Sequence, residues 1–223
     1  MALQYAAIMH RRRGEPQAAQ ALEEASMAIC REYAFVHGMA HEMIWQGWDL
    51  AQQGQTEAGI AHMRQGLETL QATGAAADWL WLLPLLATTY GNVGQAEAGL
   101  ALLAEALDTI DPPGKRLEEA GLYRCKGDLL LKLDAASHRR KAGSQSLAAE
   151  AEACFRQSLA IARYQQTRAL ELRAALSLSR LWQQQGKREE AQQLLAPIYG
   201  WFTEGFDTAD LQEARLLLEE LAA

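Results

Sequence analysis

The residue types best suited to chemistry are His37 and His41, followed directly by Glu42. On a helix, histidines four apart share a face and could share a metal ion, but the sequence places no third ligand beside them. A zinc-protease helix needs a second histidine three residues after its glutamate, and position 45 is Trp. The expectation is therefore a histidine pair on a surface or groove, with no metal. Two Gly-Lys pairs, Gly114-Lys115 and Gly186-Lys187, have Thr109 and Leu181 where a phosphate loop needs its first glycine. No dinucleotide fingerprint, nucleophile elbow or calcium loop occurs. Cys30, Cys125 and Cys154 are odd in number, lack a Cys-x-x-Cys spacing, and read as packed free thiols of a reducing cytoplasm. The carboxylates read as solvated charge on helix faces. No catalytic residue, cofactor or metal site is expected, and the chain reads as a non-enzyme.

The elements that must position any site are set by a repeat. Gly54-Gln55-Thr56-Glu57-Ala58-Gly59 returns as Gly94-Gln95-Ala96-Glu97-Ala98-Gly99, with looser copies starting at Gly14 and Gly186. The first three leading glycines are 40 residues apart, and the fourth follows after 92, two periods and an insertion of about twelve residues. Seven residues before each glycine stands a small residue (Ala7, Gly47, Ala87, Ser179), and four before it a bulkier one (His10, Leu50, Tyr90, Trp182). Five after it stands another small one (Ala19, Gly59, Gly99, Ala191). Small residues on antiparallel helices let backbones approach, and the glycine ends the first helix in a left-handed conformation. Each copy is thus the turn of a helical hairpin, whose apolar flanks require stacked neighbours.

This pattern resembles the tetratricopeptide repeat, lengthened from 34 residues to 40. The phrases Gly47-Trp48 with Ala51-Gln52-Gln53-Gly54, Trp182-Gln183-Gln184-Gln185-Gly186-Lys187, and Pro197 to Thr208 look like the C-terminal repeat region of bacterial adenylate/guanylate cyclase–ATPase fusion proteins. The resemblance implies an all-α, right-handed superhelical α-solenoid of about five hairpins plus a capping helix. Its units are expected at 2–35, 36–75, 76–113, 114–165 and 166–204, with the cap at 208–222, all in one repeat domain. It carries no catalytic motif over. In such arrays the first helix of each hairpin lines an inner groove. That rule places there Trp48 and Gln52, then Trp81, Thr88 and Asn92, then Arg124, Asp128 and Lys132, then Arg173, Arg180 and Gln184. An aromatic early part and a basic later part would suit an acidic or carboxylate-ended peptide. Equally open is the plainer reading, with tryptophans as core filler and arginines paired to neighbouring acids.

Composition agrees with a helical array: 223 residues, 49% hydrophobic, 22% charged, five prolines. A net charge of −7 speaks against nucleic acid as a partner. The N-terminus lacks a signal-peptide pattern, and the most apolar run, Trp79 to Thr88, is too short to span a bilayer, so no membrane partner is expected.

Along the chain, Arg11-Arg12-Arg13 closes the first helix, and Pro16 suits the first turn of the second, whose inner face is expected at Ala19, Leu22, Ala25 and Ile29. In the second unit Gly59, Met63, Gly66 and Leu70 should face inward. Asp78 should cap a helix beginning at Trp79, Pro84 should kink it, and Asp111-Pro112-Pro113-Gly114 should stop the next. In the fourth unit Asp134 stands at the turn position, followed by a basic insertion around 135–146 that reads as a surface loop. The core of the fifth unit should hold Leu178, Trp182, Ala191, Leu195 and Ile198. The last helix should lay Leu211, Ala214, Leu217, Leu218 and Leu221 over the final hairpin. Two functions stay open: a scaffold that receives a protein or peptide, including other domains of a larger parent, or a sensor arm that binds a small ligand and regulates an attached ATPase or cyclase.

Overall fold

The structure is a computed structural model describing residues 2–13, 15–74, 76–110, 118–138 and 144–223. Among these residues there are eleven α-helices and no strand: α1 Ala2–Arg12, α2 Pro16–Glu32, α3 Val36–Gln52, α4 Thr56–Ala72, α5 Ala76–Asn92, α6 Ala96–Asp108, α7 Glu119–His138, α8 Ser144–Tyr164, α9 Arg168–Gln184, α10 Arg188–Tyr199 and α11 Ala209–Ala222. The chain falls into two compact units, residues 1–93 and 94–223. In the first, α1 packs on α2, α2 on α3, α3 on α4 and α5, and α4 on α5. In the second, α6 packs on α7, α7 on α8 and α9, α8 on α9, and α9 and α10 on α11.

The hairpin turns follow from the glycine. Gly54, Gly94 and Gly186 have φ of 88°, 79° and 77°, and the Gly14 turn lies outside the described residues. At Gly54 the Gln55 N–H donates to Leu50 O (2.9 Å) and the Gly54 N–H to Ala51 O (3.1 Å). At Gly186 the same pair runs from Lys187 to Trp182 O (2.8 Å) and from Gly186 to Gln183 O (3.0 Å). These bonds satisfy the last carbonyls of the helix. The residue four before Gly54 and Gly186, Leu50 and Trp182, supplies the backbone carbonyl that closes the turn. Ala34 and Gln166, between hairpins, adopt φ of 49° and 57° without being glycine.

The small residues act as expected. A Cβ on Gly59 would lie 2.5 Å from Gly47 O, and one on Gly47 2.6 Å from Gly59 O. In the fifth unit Ser179 Oγ donates to Ala191 O at 3.2 Å, a bond across the same close approach. Gly127 leaves room for the Phe155 ring, which a Cβ would meet at 2.4 Å. Gly59, Met63, Gly66 and Leu70 are buried, as are Leu178, Trp182, Ala191, Leu195 and Ile198 and, on α11, Leu211, Ala214, Leu217 and Leu221.

Several local expectations need correction. On α2, Ala19 is buried, but Ala25 is exposed and Ile29 is 49% exposed. The buried stripe is Ala19, Glu23, Ser26, Met27 and Cys30. Pattern reading skipped Glu23 and Ser26 because they are polar, yet Glu23 meets Arg11 across the helix interface and Ser26 lies beside Glu42. Helix α5 starts at Ala76, so Asp78 lies inside its first turn rather than at its cap, and the helix runs through Pro84. Helix α7 continues four residues past Asp134, which is buried within it rather than placed at a turn. The centre of the basic insertion, 139–143, and the Asp111–Gly114 stop lie outside the described residues.

The seam between the first hairpin and α3 is polar. Arg11 of α1 is held by Glu23 of α2 (2.6 and 2.7 Å) and by Asp49 of α3 (2.5 Å), and its guanidinium lies 5.1 Å from the centre of the Trp45 ring. Deeper in, Gln4 Nε2 donates to Gly38 O at 3.0 Å, and Gln4 and Ser26 lie beside the carboxyl of Glu42, which is 1% exposed. Forty residues later the positions of Gln4, Glu23 and Glu42 are taken by the buried Ile44, Met63 and Leu82.

Burial pushes the Glu42 carboxyl above its ordinary range, against the lowering effect of the neighbouring Ser26 and Gln4, with Glu23 adding like-charge repulsion. Glu42 Oε1 and Gln4 Oε1 are buried acceptors without a donor, and a proton on Glu42 supplies one. A carboxyl whose folded pKa is raised adds stability that is complete below its unfolded pKa and is lost as pH rises through the folded value. Glu42→Gln should therefore raise the thermal midpoint at pH 8 by about 2–4 °C for each kcal/mol of relieved charge burial, and have little effect near pH 4. Thermal melts across that range check this; an equal shift at both ends would refute it.

Candidate groove between helices nine and eleven

The first helices of successive hairpins touch one another in the second unit, α7 against α9 and α9 against α11. Helix α11 continues the series. Moving forty residues from α9 turns Ala174 into Ala214 (both 0% exposed) and Leu181 into Leu221 (both buried). Leu176, 4% exposed, becomes Leu216, 52% exposed. The α11 helix therefore occupies the place of another first helix, with Ala214 and Leu221 buried like their α9 counterparts, while Leu172, Ala175 and Leu176 of α9 become the exposed Gln212, Arg215 and Leu216.

An open cavity of about 590 Å³ lies between α9 and α11. It is lined by Arg180, Gln183 and Gln184 from α9, and by Gln212, Glu213 and Leu216 among others from α11. Polar ties cross it: Arg180 to Glu213 at 2.9 Å, Gln183 Nε2 to Glu220 Oε2 at 3.1 Å, and Arg188 to the Glu220 carbonyl. Arg173 Nε donates to Asp210 Oδ2 at 2.7 Å, at the first turn of α11. The arginines that the sequence set aside for an acidic ligand thus meet carboxylates of the chain itself. Arg124 likewise bonds Asp128, four residues on, at 2.7 Å. Lys132 is half-buried on α7, and Gln184 is exposed.

In the first unit, Trp81 of α5 packs on His41 (centroids 5.5 Å apart) and on Trp45 (6.2 Å) of α3. Trp81, Trp48 and Thr88 are half-buried, while Gln52 and Asn92, the last residues of α3 and α5, are exposed. His41 is 5% exposed, and His37 stacks on Phe35 instead. The expectation of a surface or groove histidine pair is corrected: His41 is buried against the Trp81 ring, whereas the His37 ring turns to Phe35. Among the described residues no cluster of three or more histidine, cysteine, aspartate or glutamate side chains could hold a metal ion. All three cysteines are free and buried.

Sequence reasoning missed Gln212 and Leu216, because the last helix was read as a cap with no groove face of its own, and it passed over Gln183 on α9 beside the expected Gln184. The signal was partial: a shift of forty carries Ala174, Leu176 and Leu181 onto Ala214, Leu216 and Leu221, but turns Leu172, Ala175 and Ser179 into Gln212, Arg215 and Glu219.

Among the described residues no helix is long and apolar enough to cross a membrane. No protein-family model matches the chain, and no curated protein matches it either. Solved structures do. The TPR-like repeats of a Podospora anserina kinesin-light-chain candidate align over 89% of this chain and 92% of that one, with a TM-score of 0.55 and 18% identity. At that identity the likeness concerns the fold, and the fold of this chain is that of tetratricopeptide-like helical repeats.

Proposed function

We propose that the chain is one non-catalytic repeat domain, a protein–protein interaction or scaffold module that receives a peptide or protein partner in the groove lined by its first helices. It would serve as the repeat arm of a bacterial, cytoplasmic signalling ATPase or cyclase, with the chemistry in other domains. The observation that carries the reading is the α9–α11 groove, whose rim combines three glutamines with the exposed Leu216. Side-chain amides offer a donor and an acceptor each, which suits a peptide backbone, and Leu216 offers apolar area. Because Arg173 and Arg180 already bond acids of α11, the partner segment here is neutral rather than strongly acidic. The chain's net charge of −7 argues against nucleic acid. The cavity volume also falls within the range of small-ligand pockets, which supports the second reading, a sensor arm that binds a small molecule.

Affinity capture from native lysate with the wild-type chain and with Leu216→Glu separates these readings. A scaffold loses its protein partner about tenfold or more in the variant, a desolvated charge at a contact centre costing on the order of 1.4 kcal/mol or more. Equal recovery by both chains would refute groove binding. A small-molecule fraction that raises the midpoint of the wild type alone, with no protein captured, would favour the sensor.

A further inference from the structure

Helix α1 is apolar on more than one face. Ala7 and Ile8 are buried. Tyr5 and Met9, four residues apart and so on one face of the helix, are 54% and 55% exposed. A helix with apolar side chains on several faces is normally covered on each of them. Here α1 packs on α2, and the Tyr5–Met9 face stays open.

The forty-residue register shows what becomes of this face elsewhere. Tyr5 and Met9 correspond to Trp45 and Asp49 on α3, to Leu85 and Thr89 on α5, and to Cys125 and Leu129 on α7. On α3 both positions meet the preceding hairpin: the Arg11 guanidinium lies 5.1 Å from the centre of the Trp45 ring and bonds Asp49. Trp45, Thr89, Cys125 and Leu129 are buried, and Leu85 is half-buried. On α1 the same two positions carry large apolar side chains and stand open. Single exposed apolar residues are ordinary, but two neighbours at positions that later helices cover mark a contact surface.

Register and charge together indicate the occupant. The register calls for a helical hairpin, since that is what covers the matching face of α3. Charge calls for an uncharged one, because Ala2 to Met9 hold no acidic or basic side chain. The charges described beyond Met9 have partners in the chain: Arg11 on Glu23 and Asp49, and His10 and Arg13 on Glu15. A second copy of the chain meets both conditions, because its own first hairpin presents this same helix. The net charge of −7 opposes self-association in general, and α1 is a stretch where two copies meet without opposing like charges.

We propose that two copies of the chain associate through α1, in an antiparallel two-fold pair. A two-fold contact is reciprocal, so pairing centred midway between Tyr5 and Met9 sets Tyr5 of each copy beside Met9 of the other. A thioether against an aromatic ring is a favourable contact. Because α1 ends at Arg12, the basic ends of the two helices lie apart. One short helix from each copy is less than a standard interface, so the pairing is weak. The contact belongs to the first unit and does not depend on the α9–α11 groove having an occupant.

The test is sedimentation equilibrium of the full chain from about 5 to about 500 μM, in low and in high salt, a range that brackets weak association. Tyr5→Glu and Met9→Glu are run beside it, with Gln65→Glu as the control for an added acid on an exposed part of α4. Tyr5 and Met9 are more than half exposed, so their variants should keep the wild-type melting midpoint. The wild-type mass is expected to rise towards twice that of the monomer, with a dissociation constant of about 10–100 μM that salt changes little, no ion pair being involved. Each of the two α1 variants should weaken association about tenfold or more, because the two-fold places every new charge in the contact twice. Gln65→Glu should match the wild type. A wild-type chain that stays monomeric throughout would overturn the proposal and leave the face to a helical hairpin of another protein. Wild-type association in both α1 variants, or association abolished by high salt, would overturn it too.

Discussion

Replacing Gly59 with alanine is expected to lower the melting midpoint of the chain by about 4–8 °C. The new methyl would stand 2.5 Å from Gly47 O and 2.8 Å from Ala51 N, and backbone cannot swing aside as a flexible side chain can. Overpacking of this kind costs about 1–3 kcal/mol, and contact with backbone on both counts argues for the upper end. Alanine returns about 1 kcal/mol of helix propensity. The net loss is about 2 kcal/mol, and for a chain of this length each kcal/mol moves the midpoint by about 2–4 °C. Gly121→Ala is the internal control. It lies within α7, where a Cβ meets nothing within 4 Å, so the same substitution should stabilise by up to about 1 kcal/mol. Thermal melts of the two variants side by side separate close helix approach from propensity. A stabilising Gly59→Ala would contradict the packing described for the second hairpin.

Arg11→Leu is expected to be still more damaging. Its side chain is 15% exposed and that of Glu23 only 6%, so the variant leaves Glu23 buried without a cation and Asp49 without its partner. Breaking a buried pair from one side costs about 3–5 kcal/mol. Burial already raises the Glu23 pKa, against the hydrogen bond and attraction of Arg11, and loss of Arg11 raises it further. The double variant Arg11→Leu with Glu23→Met should recover much of the loss. The repeat itself makes that change one period later, where Met63 takes the place of Glu23 and is fully buried. Denaturant melts of single and double variants test this. A double variant no more stable than Arg11→Leu alone would show that the seam depends on something other than charge compensation.

These two sites mark what the sequence made legible. The turn glycines, and the small residues seven before and five after them, could be placed because backbone geometry permits few alternatives: a left-handed turn and a close approach each demand a residue type. The α2 face could not be placed by the same means. Apolar periodicity counts Ala25 and Ile29 as core and Glu23 as solvent, and only a partner 12 residues away in sequence, Arg11, reverses that. Asp134 shows the reverse error, a residue read as a turn because a glycine was missing, where the helix simply continues.

The groove was legible in part. Register placed Arg173, Arg180 and Gln184 on α9, and Arg180 and Gln184 do line the cavity. It could not say that Asp210 and Glu213 would meet the two arginines, because side-chain pairing between helices depends on how α11 packs on α9. Trp81 was read as a contact residue and lies against His41 and Trp45, a packing role that tryptophan's size suits as well as a binding one.

The central claim, a groove that receives a partner protein, is tested most directly by site-specific photocrosslinking in cells. A photoreactive amino acid is placed at Gln184, exposed on α9 and lining the cavity, and separately at Gln157, exposed on α8 and outside the residues that line it. A discrete crosslinked protein is expected from position 184, absent from position 157 and reduced by Leu216→Glu. The same products from both positions, or none from 184, would contradict it.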